Sequence, residues 1–261
     1  MNADLLARYD EEMRRHVHPA PGTVREDRGA FTWVRGPTPH PLDHMIAHSA
    51  LSAGRADAVI DEVVRDARRG GYGVQWNVHG HDEPADLADR LAARGFGETS
   101  RETVLVVRSD DARLERPARP GVTVRPIEGE RDVGAIVAIQ EAVWGDGHTE
   151  WLLRWFRASW AGEMEPIGLF LAEVAGAPAG MAWTAPHRGK SFAFLFGGTV
   201  LPPFRGRGAY SALVAARARF AREAGAPWLV SSANASSAPR LARFGFEPIA
   251  TCVEMVLPAP A

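Results

Sequence analysis

The stretch that most limits how this chain can fold is Gly197 to Tyr210, GGTVLPPFRGRGAY, set between an apolar run and an amphipathic one. SFAFLFGGTV (191–200) reads as a strand, and AYSALVAARARFAREAG (209–225) as a helix closed by Gly225. A glycine-bearing loop between strand and helix leaves unpaired N–H groups at the helix start, where the helix dipole adds positive character. That junction suits an anion. Gly206 and Gly208 let the main chain approach a phosphate closely, while Arg205 and Arg207 add charge and paired donors. Pro202 and Pro203 end the strand by removing donors from its ladder. The pattern is that of a diphosphate cradle.

The elements around the cradle alternate. VTVRPI (122–127) reads as a strand, DVGAIVAIQEAVW (132–144) and 152–160 as helices, and 168–176 with 178–186 as a hairpin about Gly176-Ala-Pro178. WLVSSAN (228–234), SSAPRLARF (236–244) and TCVEMVL (251–257) follow as strand, short helix and strand. Strands alternating with helices predict an α/β fold with a mixed sheet. The first half repeats this plan: 74–107 runs strand, short helix, Gly95-Phe96, strand, as 229–257 does through Gly245-Phe246. The helical segment 56–71 takes the place of 209–225. The repeat predicts a duplication, with a degenerate first domain at 1–112, a charged, proline-bearing linker at 113–121, and a second domain at 122–261.

Composition narrows the function classes. With 30 basic and 32 acidic side chains, the net charge of −2 offers nucleic acid no basic footprint. No apolar run approaches the ~20 residues of a membrane-spanning helix, and the charged N-terminus lacks the apolar core of a signal peptide. The single cysteine, Cys252, forms no internal disulfide. The expectation is a cytoplasmic protein, monomeric or homodimeric, that binds neither nucleic acid nor membrane.

Val200, Pro202 and Arg205-Gly-Arg-Gly208-Ala-Tyr210, followed by Asn234, Ser237, Leu241, Gly245 and Phe246, resemble the two signatures of the GNAT superfamily of acyl-CoA-dependent N-acyltransferases over about residues 122–257. The departures are Tyr210, where the family has a small residue, and Leu241, where many members carry a tyrosine acid. The resemblance implies a GNAT fold and acetyl-CoA as cosubstrate, with its diphosphate on the amides of Arg205, Gly206, Arg207, Gly208, Ala209 and Tyr210. It further implies that the pantetheine arm runs beside Thr199 and Val200 towards Asn234. An N–H near Val200 or Leu201 would polarise the thioester carbonyl. The acetyl group would pass directly to an amine of a small molecule or peptide, without a covalent enzyme intermediate and without a metal. The alternative is a non-catalytic acyl-CoA sensor, which Leu241 favours.

Catalytic side chains are less legible. Ser236 and Ser237 are candidate proton donors, though helix capping accounts for one of them equally well. Glu173, on what reads as a central strand, is the candidate base, with Glu141, Asp146, His148, Glu150 and His187 behind it. Trp144, Trp151, Trp155, Phe156 and Trp160 form either core or a hydrophobic acceptor pocket. His40, His44 and His48 recur every four residues, as on a helix face, but without a metalloprotease pattern. Asp82 reads as an N-cap and Cys252 as core.

Overall fold

The computed structural model describes residues 3–145 and 149–260. Helix α1 (Ala3–Tyr9) continues as a π-helical turn over Asp10–Arg15. It is followed by β1 (Val24–Asp27), β2 (Phe31–Arg35), β3 (Met45–Ser49), α2 (Ala53–Gly70), β4 (Val74–His79), α3 (Leu87–Ala92) and β5 (Gly97–Arg108). Then come β6 (Val122–Pro126), α4 (Val133–Trp144), α5 (Thr149–Trp160), β7 (Gly168–Val174), β8 (Ala177–Pro186), β9 (Phe192–Val200) and α6 (Ala209–Glu223). The chain closes with β10 (Trp228–Ala233), α7 (Ala238–Ala242) and β11 (Glu247–Leu257). The fold is α/β with mixed parallel and antiparallel pairing. No helix among the described residues is long and apolar enough to cross a membrane.

Two compact units result, and they do not follow chain order. One holds the residues up to Leu105 together with Ser232–Arg240 and everything from Pro248; the other holds Val106–Ser231 and Leu241–Glu247. In the first unit the strand order is β1-β2-β3-β4-β11-β5. The last strand of the chain pairs antiparallel with β4, from Cys252 opposite His79 to Leu257 opposite Val74. Strand alternation turns Val253, Met255 and Leu257 into one core with Trp33, Val74 and Trp76. At ~1.5–3 kcal/mol for each large apolar side chain buried, β11 is a main contributor to that core.

The first unit revises two local readings. Asp82 does not cap α3; its carboxylate lies 2.7 Å from the Arg14 guanidinium and accepts from the His79 N–H, with both side chains almost wholly buried. A buried guanidinium needs this anion more than a helix needs a cap. The histidines share no helix face either. His40 caps the 3-10 turn Pro41–Asp43, His44 stacks on Tyr72 at 3.8 Å, and His48 lies in β3, where alternation replaces the four-residue period. Cys252 is buried, as core.

Burial also sets a pH dependence. Desolvation, reinforced by Glu102, pushes the Glu254 carboxyl up to about 7. The native state therefore keeps a proton that the unfolded chain releases near ~4.3. This group's contribution is complete below that lower value and is lost as pH rises through 7. Glu254→Gln is expected to stabilise the protein by roughly 1–3 kcal/mol at about pH 8 and hardly at all near pH 4. Urea unfolding at the two pH values checks this; equal effects would contradict it.

The second unit has the strand order β10-β9-β8-β7-β6, with α6 laid across β6 to β9. Ala209, Ala212 and Leu213 of α6 meet Val122, Phe170, Ala172 and Ala182 of the sheet. Small alanines on the helix face allow this close approach.

Candidate functional site

Two irregularities in β9 make the site. Against β8 the register runs Gly180–Val200, Met181–Thr199 and then jumps to Trp183–Phe196, so Gly197 and Gly198 form a bulge. Gly197 has φ +54, a conformation glycine adopts without a steric cost. Against β10 the parallel pairing ends at Phe194–Val230, although β9 continues to Val200. Just past this point the Ser231 hydroxyl donates to the Leu195 carbonyl at 3.2 Å. Beyond it the Phe196–Val200 segment has lost its ladder on that side, as expected where an extended ligand runs along a strand.

At the end of β9 the chain turns through Pro202–Phe204 and enters α6 from Gly208, whose φ is +101. Among the described residues, no protein group accepts from the amides of Gly206 to Ser211; the first helical bond runs from the Ala212 N–H to the Gly208 carbonyl. Gly206 and Arg207 are exposed and Gly208 half-buried, so these donors face solvent. Arg205 donates from Nε to the Val200 carbonyl at 3.1 Å, which ties the loop to the strand end, and Arg207 lies over the Phe204 ring. Among the described residues neither pairs with a carboxylate. Arg119, from the segment that reads as linker, donates to the Gly206 carbonyl at 3.1 Å and packs against Gly208. It too has no carboxylate partner there. Three arginines without carboxylate partners among the described residues, around a row of N–H groups without acceptors there, give this surface the charge and donors that suit an anion.

The remaining predicted site residues divide. Thr199 is buried, and its Oγ1 accepts from Trp144 Nε1 at 2.8 Å, fixing the C-terminal end of α4 to β9. The Leu201 N–H donates to the Ala179 carbonyl at 2.9 Å, so it is not available to a thioester; of the two expected donors only Val200 is left. The Asn234 Oδ1 accepts from the amides of Ser236 and Ser237 and from both hydroxyls, which makes it the cap of α7. Both serines are thus engaged in that turn. Ala209 is buried and Tyr210 half-buried at the start of α6.

Glu173 is not kept as the base. The strand β7 lies one in from the edge rather than at the centre, and the carboxylate is held by Arg125 at 3.3 Å and by the Thr123 hydroxyl. Arg125 also grips Asp132 at 2.7 Å, so Glu173 belongs to an ion-paired clamp between β6, β7 and the start of α4. His187 sits 3.3 Å from Glu165, just after Pro186, which pairs with Ala193. That is roughly 20 Å from Val200 along the strand. Glu141 and Glu150 are exposed, and Glu150 faces Arg157. Asp146 and His148 lie outside the described residues.

The aromatic residues form a continuous stack. Trp183 lies on Phe196 at 4.1 Å and Phe196 on Phe194 at 4.2 Å, while Trp155 and Phe156 meet Trp183 at 5.7 and 5.8 Å. It runs from α5 to the start of the β9 bulge, so its floor is core and its upper end borders the splay.

Comparison with known proteins agrees with this geometry. Residues 136–246 match the model of the Acetyltransferase (GNAT) family, a span that includes the bulge, the loop and α6. The segment that holds the site is thus similar to a GNAT domain. The chain is 32% identical over 171 residues to a mycothiol acetyltransferase of Thermobispora bispora, covering 62% of this chain and 54% of that protein. The chain thus spans about half the length of that relative. Among solved structures, a GCN5-related N-acetyltransferase from Kribbella flavida matches with a TM-score of 0.72 at 16% identity, covering 100% of this chain and 96% of that one. A tandem GNAT protein from the clavulanic acid biosynthesis pathway matches with a TM-score of 0.65 at 15% identity, covering 100% and 97%. At those identities the likeness establishes the fold alone. In the first half β3, α2 and β4 repeat the order of β9, α6 and β10, but no Pro-x-x-Arg-Gly-x-Gly run precedes α2.

Proposed function

We propose that the GNAT domain transfers an acetyl group from acetyl-CoA to an amine of a small molecule or peptide by direct attack. The row of amides from Gly206 to Ser211, without acceptors among the described residues and ringed by Arg119, Arg205 and Arg207, carries the reading. The two linked phosphates of coenzyme A suit that donor set in charge and in hydrogen-bonding character. The splay of β9 from β10 then gives the pantetheine arm a backbone edge to follow, and the stack ending at Phe196 gives the acceptor an apolar wall. The acceptor panel begins with amines related to mycothiol, because the Thermobispora bispora relative is named a mycothiol acetyltransferase. Aminoglycosides, polyamines and peptide N-termini complete it.

The second reading is an acyl-CoA-binding module without turnover. It is favoured by Leu241, which is 3% exposed and carries no proton, and by the engagement of Glu173 with Arg125. Thiol release separates the two. The enzyme reading expects at least one amine to accelerate release of coenzyme A by ~100-fold or more over water, an effect of the size general acid–base assistance supplies. Tight binding with no accelerated release for any amine would establish the sensor instead.

A further inference from the structure

The second unit buries a cation that no carboxylate balances. Arg217, on α6, is 2% exposed, and among the described residues no acidic side chain pairs with it. Burial lowers its proton affinity, yet an arginine keeps its charge in a protein. Taking an ion out of water without a counter-charge is costly, so its place on a buried helix face of alanine, leucine and valine has to be explained. Its hydrogen bonds supply the explanation. Nε donates to the Leu213 carbonyl, one turn back on α6, at 3.2 Å. Nη1 donates to the Phe196 carbonyl on β9, also at 3.2 Å. One planar guanidinium thus joins helix to strand, with the angle between its two prongs fixed by its own covalent frame. A lysine ammonium, a point charge on a flexible stem, fixes no such angle.

The strand residue it holds is the one on which the site turns. Phe196 is the last residue of β9 in step with Trp183 before the register jumps to Thr199 opposite Met181. It lies just beyond the last parallel pair with β10, Phe194–Val230. A ladder carbonyl points at a neighbouring strand. This one accepts from a helix laid across the face of the sheet, so its peptide is tilted at the entry to the bulge. A Cβ added to Gly198 would lie 3.2 Å from Arg217 Nη2, which puts the guanidinium directly beneath the bulge. The Phe196 ring, stacked on Trp183 at 4.1 Å, ends the aromatic wall. The same helix opens, about two turns earlier, with the amides of the phosphate loop.

We propose that Arg217 is a positioning residue for the acetyl donor: it braces the β9 bulge against α6 and so fixes the slot for the pantetheine arm relative to the amides that take the diphosphate. The proposal rests on the acetyl-donor reading above. Arg217 lies beneath the strand and acts through the Phe196 peptide and the separation of helix from strand. Its charge makes it a strong donor where water has no access to take its place.

The test divides the donor in two and needs no acceptor. Coenzyme A and phosphoadenosine diphosphate, the half of it that lacks the pantetheine arm, are titrated calorimetrically into the full chain. Arg217→Met keeps an apolar stem and loses the donors. It is expected to weaken coenzyme A by ~10-fold or more, the worth of one charge-assisted hydrogen bond, and the nucleotide by less than about twofold. Arg217→Lys, which keeps the charge without the fork, is expected to fall between. Should neither variant fold, NMR of the wild type decides: the side-chain nitrogen resonances of Arg217 should move with coenzyme A and stay in place with the nucleotide. Equal weakening of both compounds, weakening of neither, or Arg217 resonances that respond alike to the two overturns the assignment and leaves the diphosphate site standing. A wild-type chain that binds neither compound overturns both.

Discussion

Gly208→Val is expected to raise the dissociation constant for coenzyme A at least ~100-fold, through the backbone alone. At φ +101 this position lies where β-branched side chains are genuine outliers. A Cβ would also press to 3.0 Å from the Arg119 side chain. Relief of either strain swings the amides from Gly206 to Tyr210 away from a common focus. Each hydrogen bond to a charged partner is worth ~1.5–3 kcal/mol, and ~1.4 kcal/mol is a factor of ten. Loss of two such bonds therefore carries the effect past two orders of magnitude. Calorimetric titration of coenzyme A checks it, with a thermal melt to show that the variant remains folded. A folded variant binding within threefold of wild type would show that the loop backbone is not the phosphate-holding element.

The second large effect concerns the exchange of β11. A fragment comprising residues 122–261 is expected to lack a cooperative unfolding transition and to bind no coenzyme A. The repeat suggests a natural cut near residue 112 or 122, but β11 pairs with β4 and buries Val253, Met255 and Leu257 in the first unit's core. Cut away from β4, that strand presents an unpaired apolar edge, the usual start of aggregation. Circular dichroism melts and size-exclusion chromatography of the fragment test this. A monomeric fragment with a sharp melt would contradict the pairing.

These two cases mark where sequence reasoning reaches and where it stops. The strand, glycine loop and helix around Gly206 were legible because every cue is local: an apolar run, prolines that end it, glycines at the turn, then helical spacing. The helix expected over 209–225 is Ala209–Glu223, and the hairpin about Gly176 is β7–β8. The short helix expected over 236–244 contracts to Ala238–Ala242 because Ser236 and Ser237 are used by the Asn234 cap. The strands of 24–49 went unread; VRED carries no alternation, and β3 is interrupted by histidine.

Partners were not legible, because period gives the face of a strand and not its neighbour. Nothing local tells β11 to pair with β4, Glu173 to meet Arg125, or Arg119 to fold onto the phosphate loop. Arg217 is the residue that went unread: it stands on an otherwise apolar helix face, and a buried arginine in that pattern is legible in the sequence.

The central claim, that the idle amides at the start of α6 hold two linked phosphates, is tested most directly by following the backbone N–H resonances of Gly206 to Ser211 by NMR. Coenzyme A should move them strongly, as new charge-assisted hydrogen bonds form, while acetyl-pantetheine, which lacks the diphosphate, should leave them in place. Resonances that ignore coenzyme A at saturating concentration, or that respond equally to both compounds, would contradict the account.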